Sequence, residues 1–448
     1  MPSTVAESLI FRDMFGTPAM REVFSDERLV HQFLAVEAAL ARAEGAVGVI
    51  PAQAAQAISS AAAAMTIDFA RLRHETEIVG YPIVGVVNQL AEAAGDAGGY
   101  VHWGATTQDI MDTATILQTR EALDLVARDL LEVQSILVSL SQRYRDTAMA
   151  GRTHLQQALP VTFGYKAAIW LSTIDRHIER IDQLRHRVLL AQLGGAAGTL
   201  ASLGEQGFAV QSAFCRELNL AQPVATWHVA RDGLAEVVAF LGLVTGSLAK
   251  IATDVILLTS TEFAELSEPF VKGRGSSSTM PQKRNPISSE LIVACAKRVR
   301  QHVALMLDAM VQDLERATGP WHAEWIAIPE SFIMTAGALA QAKFMLGGLI
   351  VDADRMRSNL EISRGLIVAE AVMMAAAPKL GRQHAHEVVY EACRVAATDQ
   401  RSLAEVLATM PVMVEALGGM EGIDRACNPA NYIGLAPQMV DRVVAGRG

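Results

Sequence analysis

The stretch Gly275-Ser276-Ser277-Ser278-Thr279-Met280-Pro281-Gln282-Lys283-Arg284-Asn285-Pro286 is unusual for a connecting loop. It gathers four hydroxyls, a glycine and two prolines around a lysine and an asparagine. Gly275 and the serines make a hydrogen-bond-rich, mobile segment. Pro281 and Pro286 stiffen its far end. Asn285 followed by Pro286 reads as an N-cap and first turn, opening the apolar helix that carries Leu291-Ile292-Val293. A loop that is flexible first and anchored second suits a lid over a substrate. A polar inter-helix loop fits the composition equally well.

On either side of this loop the chain reads as helix. Of its 448 residues, 51% are hydrophobic but only 5% aromatic, and alanine is abundant, which favours helices over strands. Leu123, Val126, Leu130, Val133, Leu137 and Leu140 step by three and four, as a bundle seam does. A second long helix is expected from near Pro160 through Arg187, and a third over 233–262. In the third, Leu234, Val237, Val238, Leu241, Val244, Leu248, Ile251 and Val255 share one face. Its opposite face is also poor in charge, with Gly242 and Gly246 allowing close approach. Such a helix belongs at the centre of a bundle completed by other subunits. Further helices are expected over 287–316 and 327–350. Shorter patterns, broken at Gly48-Val49-Ile50-Pro51 and Gly80-Tyr81-Pro82 and again after 352, flank the long ones. The expectation is an all-α protein of three helical lobes: 1–105, a central long-helix bundle over 106–350 carrying the loop 273–286, and 351–448.

Lys and Arg total 38 against 48 Asp and Glu, a net charge of −10. That balance argues against a nucleic-acid partner, which needs a basic face. Cys215, Cys295, Cys393 and Cys427 show no metal-ligand or disulfide spacing, so no metal is expected and a reducing cytoplasm fits. Met1–Glu7 lacks the pattern of a signal peptide, and no apolar stretch is expected to span a membrane.

Two more polar clusters interrupt the helical pattern. The first is Val101-His102-Trp103-Gly104-Ala105-Thr106-Thr107-Gln108-Asp109-Ile110-Met111-Asp112-Thr113, where Thr106, Thr107 and Asp109 cap the next helix on the simplest reading. Hydroxyls and free N–H groups at a helix start also bind carboxylates. The second is Gly151-Arg152-Thr153-His154-Leu155-Gln156-Gln157, just before Pro160. A lone loop histidine is usually structural, but Arg152, Thr153 and Gln156 beside His154 suggest an anion site.

The run Ser277-Ser278-x-Met280-Pro281-x-Lys283-x-Asn285 resembles the signature of the fumarase/aspartase superfamily, with Ser276 where that family usually has glycine. The resemblance covers nearly the whole chain. It implies a homotetramer in which the three polar segments meet, each from a different subunit. It also implies a small anionic polycarboxylate substrate and no cofactor. Thr106 and Thr107 match positions that hold a substrate carboxylate. Thr153 and His154 match the Thr-His pair near the leaving group. Ser277 matches the catalytic base, and Lys283 and Asn285 match groups that stabilise the intermediate. Arg152, Gln156, Ser278 and Met280 are the other candidate substrate contacts.

The implied chemistry is coherent. Removing a proton next to a carboxylate gives a doubly charged aci-carboxylate, which needs donors and positive charge already aimed at it. Within the superfamily, Thr17-Pro18-Ala19-Met20-Arg21-Glu22-Val23-Phe24-Ser25-Asp26, Trp321-His322-Ala323-Glu324-Trp325 and Gly365-Leu366-Ile367-Val368-Ala369-Glu370 resemble bacterial 3-carboxy-cis,cis-muconate cycloisomerases. Those carry Trp at the position of His154. Thr153-His154-Leu155-Gln156 is instead similar to argininosuccinate lyase, and Ala230 replaces a frequent Gln. The alternative is therefore a C–N lyase releasing fumarate from an N-substituted aspartate. A non-catalytic homologue is disfavoured, because Ser277, Lys283 and His154 are all present.

Overall fold

The computed structural model describes residues 4–316 and 318–446, so the first three residues of Met1–Glu7 lie outside the described residues. The protein is overwhelmingly helical, as its composition demands. Helix α1 (Asp26–Val47) shows the local logic: the Ser25 side chain accepts from the Arg28 N–H, and Gly48 ends the helix at φ 87°. The leucine and valine seam lies in α2 (Thr107–Arg143). The helix expected from Pro160 is α3 (Phe163–Val188), and that expected over 233–262 is α4 (Asp232–Thr259). Helix α5 (Ile287–Ala309) stops seven residues before the expected end at 316, because the chain turns into an irregular segment there. Helix α6 (Pro320–Gly347) starts earlier than expected and contains Trp321-His322-Ala323-Glu324-Trp325.

Strands were not expected, yet two small antiparallel ribbons are present. Strand β1 (Ala148–Thr153) pairs with β2 (Gln156–Thr162), and β3 (Leu266–Ser267) with β4 (Ile350–Val351). Pro160 explains part of the first: a proline is costly in a helix interior, and the chain stays extended through Thr162 before α3 begins at Phe163.

The chain divides into two compact units, each assembled from three separated stretches. One comprises Met1–Leu130, His177–Leu248 and Leu291–Gln341; the other comprises Leu131–Arg176, Ala249–Glu290 and Ala342–Gly448. In the first unit, the α4 residues Leu234, Val237, Val238, Leu241 and Val244 are buried. Gly242 permits close approach: a Cβ there would lie 2.7 Å from Val303 Cγ2 on α5. Gly246 faces open space, and Leu243 on α4 is 53% exposed. In the second unit, the short C-terminal helices enclose their own core around Val389, Leu403, Leu407, Met413 and Ile423.

Contrary to expectation, α4 is long and apolar enough to cross a membrane by length and composition. It is also 56% buried over its most apolar window, as a core helix would be. The expectation failed because the charges of α4 cluster near its two ends, at Asp232 and Glu236 and at Lys250 and Asp254.

The first unit also hides an unusual acid pair. Glu37 and Glu44 are both buried on α1. The His102 Nδ1 lies 2.6 Å from Glu37 Oε1. Burial pulls His102 down, but Glu37 outweighs it and holds the imidazole above its usual range. Neither Glu44 oxygen has a hydrogen-bond partner among the described residues. Burial first, and the Glu37 charge second, push Glu44 from 4.5 up to about 9. Between those values the folded chain keeps a proton that the unfolded chain has lost. The stabilisation it provides is complete below 4.5 and is lost as pH rises through about 9. Glu44→Gln should therefore flatten the fall in stability over this window and leave the variant more stable than the parent at its alkaline end. Chemical denaturation across the window checks this; a constant difference between the two proteins would show that Glu44 does not titrate there.

Candidate active site

In the first unit, the start of α2 is held by Asp109. Both carboxylate oxygens are fully engaged. Oδ1 accepts from the Gly194 N–H at 2.9 Å and lies 2.7 Å from His228 Nε2. Oδ2 accepts from the Gly195 and Thr106 N–H groups, each at 2.9 Å. Asp109 is thus the cap, and the adjacent hydroxyls are left for other work. Arg316 takes them up: its guanidinium donates to Thr106 Oγ1 at 2.6 Å and to Thr107 Oγ1 at 3.1 Å. A half-buried guanidinium, two hydroxyls and the positive end of a 37-residue helix are thus brought together, a donor set of the kind that suits a carboxylate. Arg316 escaped the sequence reading because the expected helix ran through it; α5 ends at Ala309 instead.

One turn further along α2 lies a fully buried charge cluster. Arg231 donates to Asp112 at 2.7 and 2.9 Å and to Glu324 at 2.9 and 2.5 Å. The Trp321 indole donates to Asp112 Oδ1 at 3.0 Å, and Gln108 donates to Asp112 Oδ2 at 3.2 Å and to the His228 carbonyl at 2.9 Å. This network ties α2, the segment before α4 and α6 together beneath the Thr106–Thr107 seat.

In the second unit, Thr153, His154, Leu155 and Gln156 form the exposed tip of the β1–β2 hairpin. Only two residues connect the strands, and both take positive φ: His154 at 50° and Leu155 at 61°. This is the geometry of a type I′ turn, which Asn and Gly usually occupy. A left-handed residue with a Cβ costs roughly 1–2 kcal/mol, so the turn spends stability to present a histidine and a leucine. Arg152 points elsewhere. It donates to both oxygens of the buried Glu265, at 3.1 and 2.6 Å, and stacks 4.4 Å from the Phe263 ring centroid. Glu265 also accepts from Asn359 at 2.7 Å. Arg152 therefore braces the hairpin, and its guanidinium is occupied.

The signature loop is a compact hairpin-like turn. Ser276 and Arg284 form an antiparallel bridge, and the Asn285 N–H donates to the Gly275 carbonyl at 2.9 Å. Gly275 sits at φ 68°, and a Cβ there would lie 2.4 Å from Asn285 O, so the loop requires glycine. Ser276 does not take a positive φ, and its hydroxyl donates to Gly273 O at 2.9 Å; serine is accommodated. Inside the turn, Ser277 Oγ accepts from the Thr279 N–H at 3.3 Å and the Met280 N–H at 3.1 Å. Two amide donors on one hydroxyl oxygen lower the cost of ionising it. Ser278 and Lys283 are exposed, and the Lys283 N–H donates to Met280 O at 3.1 Å. Met280, Lys283 and Asn285 line a cleft of about 680 Å³, with Glu268 and Arg274 on its wall. Glu268 caps α5, accepting from the N–H groups of Ser288 and Ser289 at 3.1 and 2.8 Å. The cap expected from Asn285 is supplied from outside the helix instead.

Among the described residues, no hydrogen bond or ion pair joins the hairpin tip to the signature loop.

The profile of the Lyase family matches residues 14–301, and that of the adenylosuccinate lyase C-terminus matches 365–443. Trans-aconitate decarboxylase 1 of Mycosarcoma maydis is 48% identical over 97% of this chain and 88% of its own length. The 3-carboxy-cis,cis-muconate cycloisomerase of Pseudomonas aeruginosa is 45% identical over 99% of this chain and 97% of its own. Other bacterial relatives bearing that second name are 42 to 43% identical. A crystal structure of a fumarate lyase from Mesorhizobium sp. BNC1 superposes with a TM-score of 0.92, at 53% identity over 97% of this chain and 99% of that one.

Proposed function

We propose, for a chain that belongs to the Lyase family of the fumarase/aspartase superfamily, the activity of a 3-carboxy-cis,cis-muconate cycloisomerase. The observation that carries the reading is near-full-length likeness to relatives of that name. Muconate and aconitate are both unsaturated polycarboxylates, so the relatives' names share a substrate class.

In lactone formation, an internal carboxylate adds to the alkene and the neighbouring carboxylate takes up the displaced electron pair as an aci-carboxylate. The Ser277 hydroxyl then delivers a proton to the carbon beside it. In the reverse direction Ser277 is the base. The amide donors of Thr279 and Met280 support the alkoxide left behind. Lys283 and Asn285 stabilise the doubly charged intermediate, with Ser278 and Met280 beside them. Thr106 and Thr107, joined by Arg316, hold a substrate carboxylate. Thr153, His154 and Gln156 complete the site from the hairpin tip. These segments come from different subunits of a soluble, cytoplasmic homotetramer. Arg152 supports the hairpin from behind. No cofactor takes part.

The exposed His154 favours one second reading, a C–N lyase whose departing nitrogen needs a proton. His154→Trp separates the two. Ring closure uses a carboxylate that is already ionised at neutral pH and needs no such acid. The variant should keep substantial muconate turnover, followed as loss of ultraviolet absorbance. If the parent never consumes carboxymuconate but releases fumarate from an N-substituted aspartate, and the variant does not, the second reading stands.

A further inference from the structure

In the first unit, a cavity of about 150 Å³ has an unusual chemistry. Thr106, Thr107 and Arg316 do not line it. Its walls include Phe24, Phe33, Trp321 and Trp325, and the two indoles meet edge to face with centroids 5.1 Å apart. An apolar cavity of this size takes up a single benzene ring.

The polar groups of the wall are selective. Gln118 is 5% exposed; its Nε2 donates to Val23 O at 2.7 Å, and its Oε1 accepts no hydrogen bond from the described residues. Pro329 stands inside α6 and has no N–H, so the Trp325 carbonyl lacks its normal helical donor. Both groups are acceptors on lining residues. No lysine, arginine or histidine lines the cavity, whereas Glu324 does. The Glu324 carboxylate already has its cation in Arg231, so a carboxylate ligand would find no free positive charge among the lining residues. The proposed substrate class is therefore wrong for this space.

The geometry points to a binding site for a small, uncharged, monocyclic aromatic molecule that carries a hydrogen-bond donor: a simple phenol. The ring fills the volume that the indoles wall together with Phe24 and Phe33, and the hydroxyl donates to Gln118 Oε1. The site is independent of the reaction proposed above.

Calorimetric titration of the intact protein with phenol, toluene and benzoate at neutral pH tests this. Phenol should bind saturably, toluene roughly 5–10-fold more weakly for want of one hydrogen bond, and benzoate not measurably. Gln118→Leu should bring phenol down to the level of toluene. Thr115→Leu, which fills the cavity from α2, should abolish binding of both. Circular dichroism and melting curves verify that the variants fold; if either fails, the ligand series on the parent and a phenol-soaked crystal decide. Saturating fumarate should leave phenol binding unchanged. Absence of saturable phenol binding, equal binding of benzoate, displacement by fumarate, or phenol located elsewhere would each overturn the assignment.

Discussion

Ser277→Ala is expected to lower turnover by roughly 10²–10⁴-fold while leaving substrate affinity close to that of the parent. The oxygen that moves the proton is lost, but the groups assigned to hold carboxylates are untouched. The loop itself should survive, because its closure depends on Gly275, Asn285 and the Ser276–Arg284 bridge. Steady-state rates and a binding titration on the same variant separate the two quantities. Ser276→Ala is the control: its hydroxyl is committed to Gly273 O, so turnover should change little. Near-normal turnover in Ser277→Ala would remove this residue from the proton transfer and shift attention to Ser276 and Ser278.

Arg231→Met is expected to produce the largest loss of stability. The guanidinium is 1% exposed and sits between Asp112 and Glu324, which are 1 and 2% exposed. Removing it leaves two carboxylates buried without their cation. Losing one partner from a buried pair costs roughly 3–5 kcal/mol, and here two partners are stranded. Burial already lifts Glu324 above the ordinary carboxyl range, despite the pull of Arg231. Denaturant midpoints should fall sharply, and replacing Glu324 with Gln in the same chain should restore part of the loss. An unchanged midpoint would show that the cluster contributes no net stability.

The helical frame was legible in the residues because helix formation is local. A spacing of three and four along Leu123–Leu140 needs no distant partner to declare a helix. The signature loop was equally readable, since its serines, Lys283 and Asn285 lie within a few residues of one another. The β1–β2 hairpin was not read, because its strands are short and Thr153-His154-Leu155-Gln156 lacks the Asn-Gly turn that usually announces one.

What each polar residue does was decided by partners far along the chain. Asp109 looked like one of several helix-start residues. Gly194 and His228, 85 and 119 positions away, make it the cap and free Thr106 and Thr107. Arg316 joins that seat across 210 positions, and no periodicity marks it. Arg152 looked like an anion binder until Glu265, 113 positions on, took its charge. Backbone propensity acts over a few residues and is written in neighbouring side chains. Charge pairing and burial act through space, so the folded chain had to bring these partners together before their roles could be assigned.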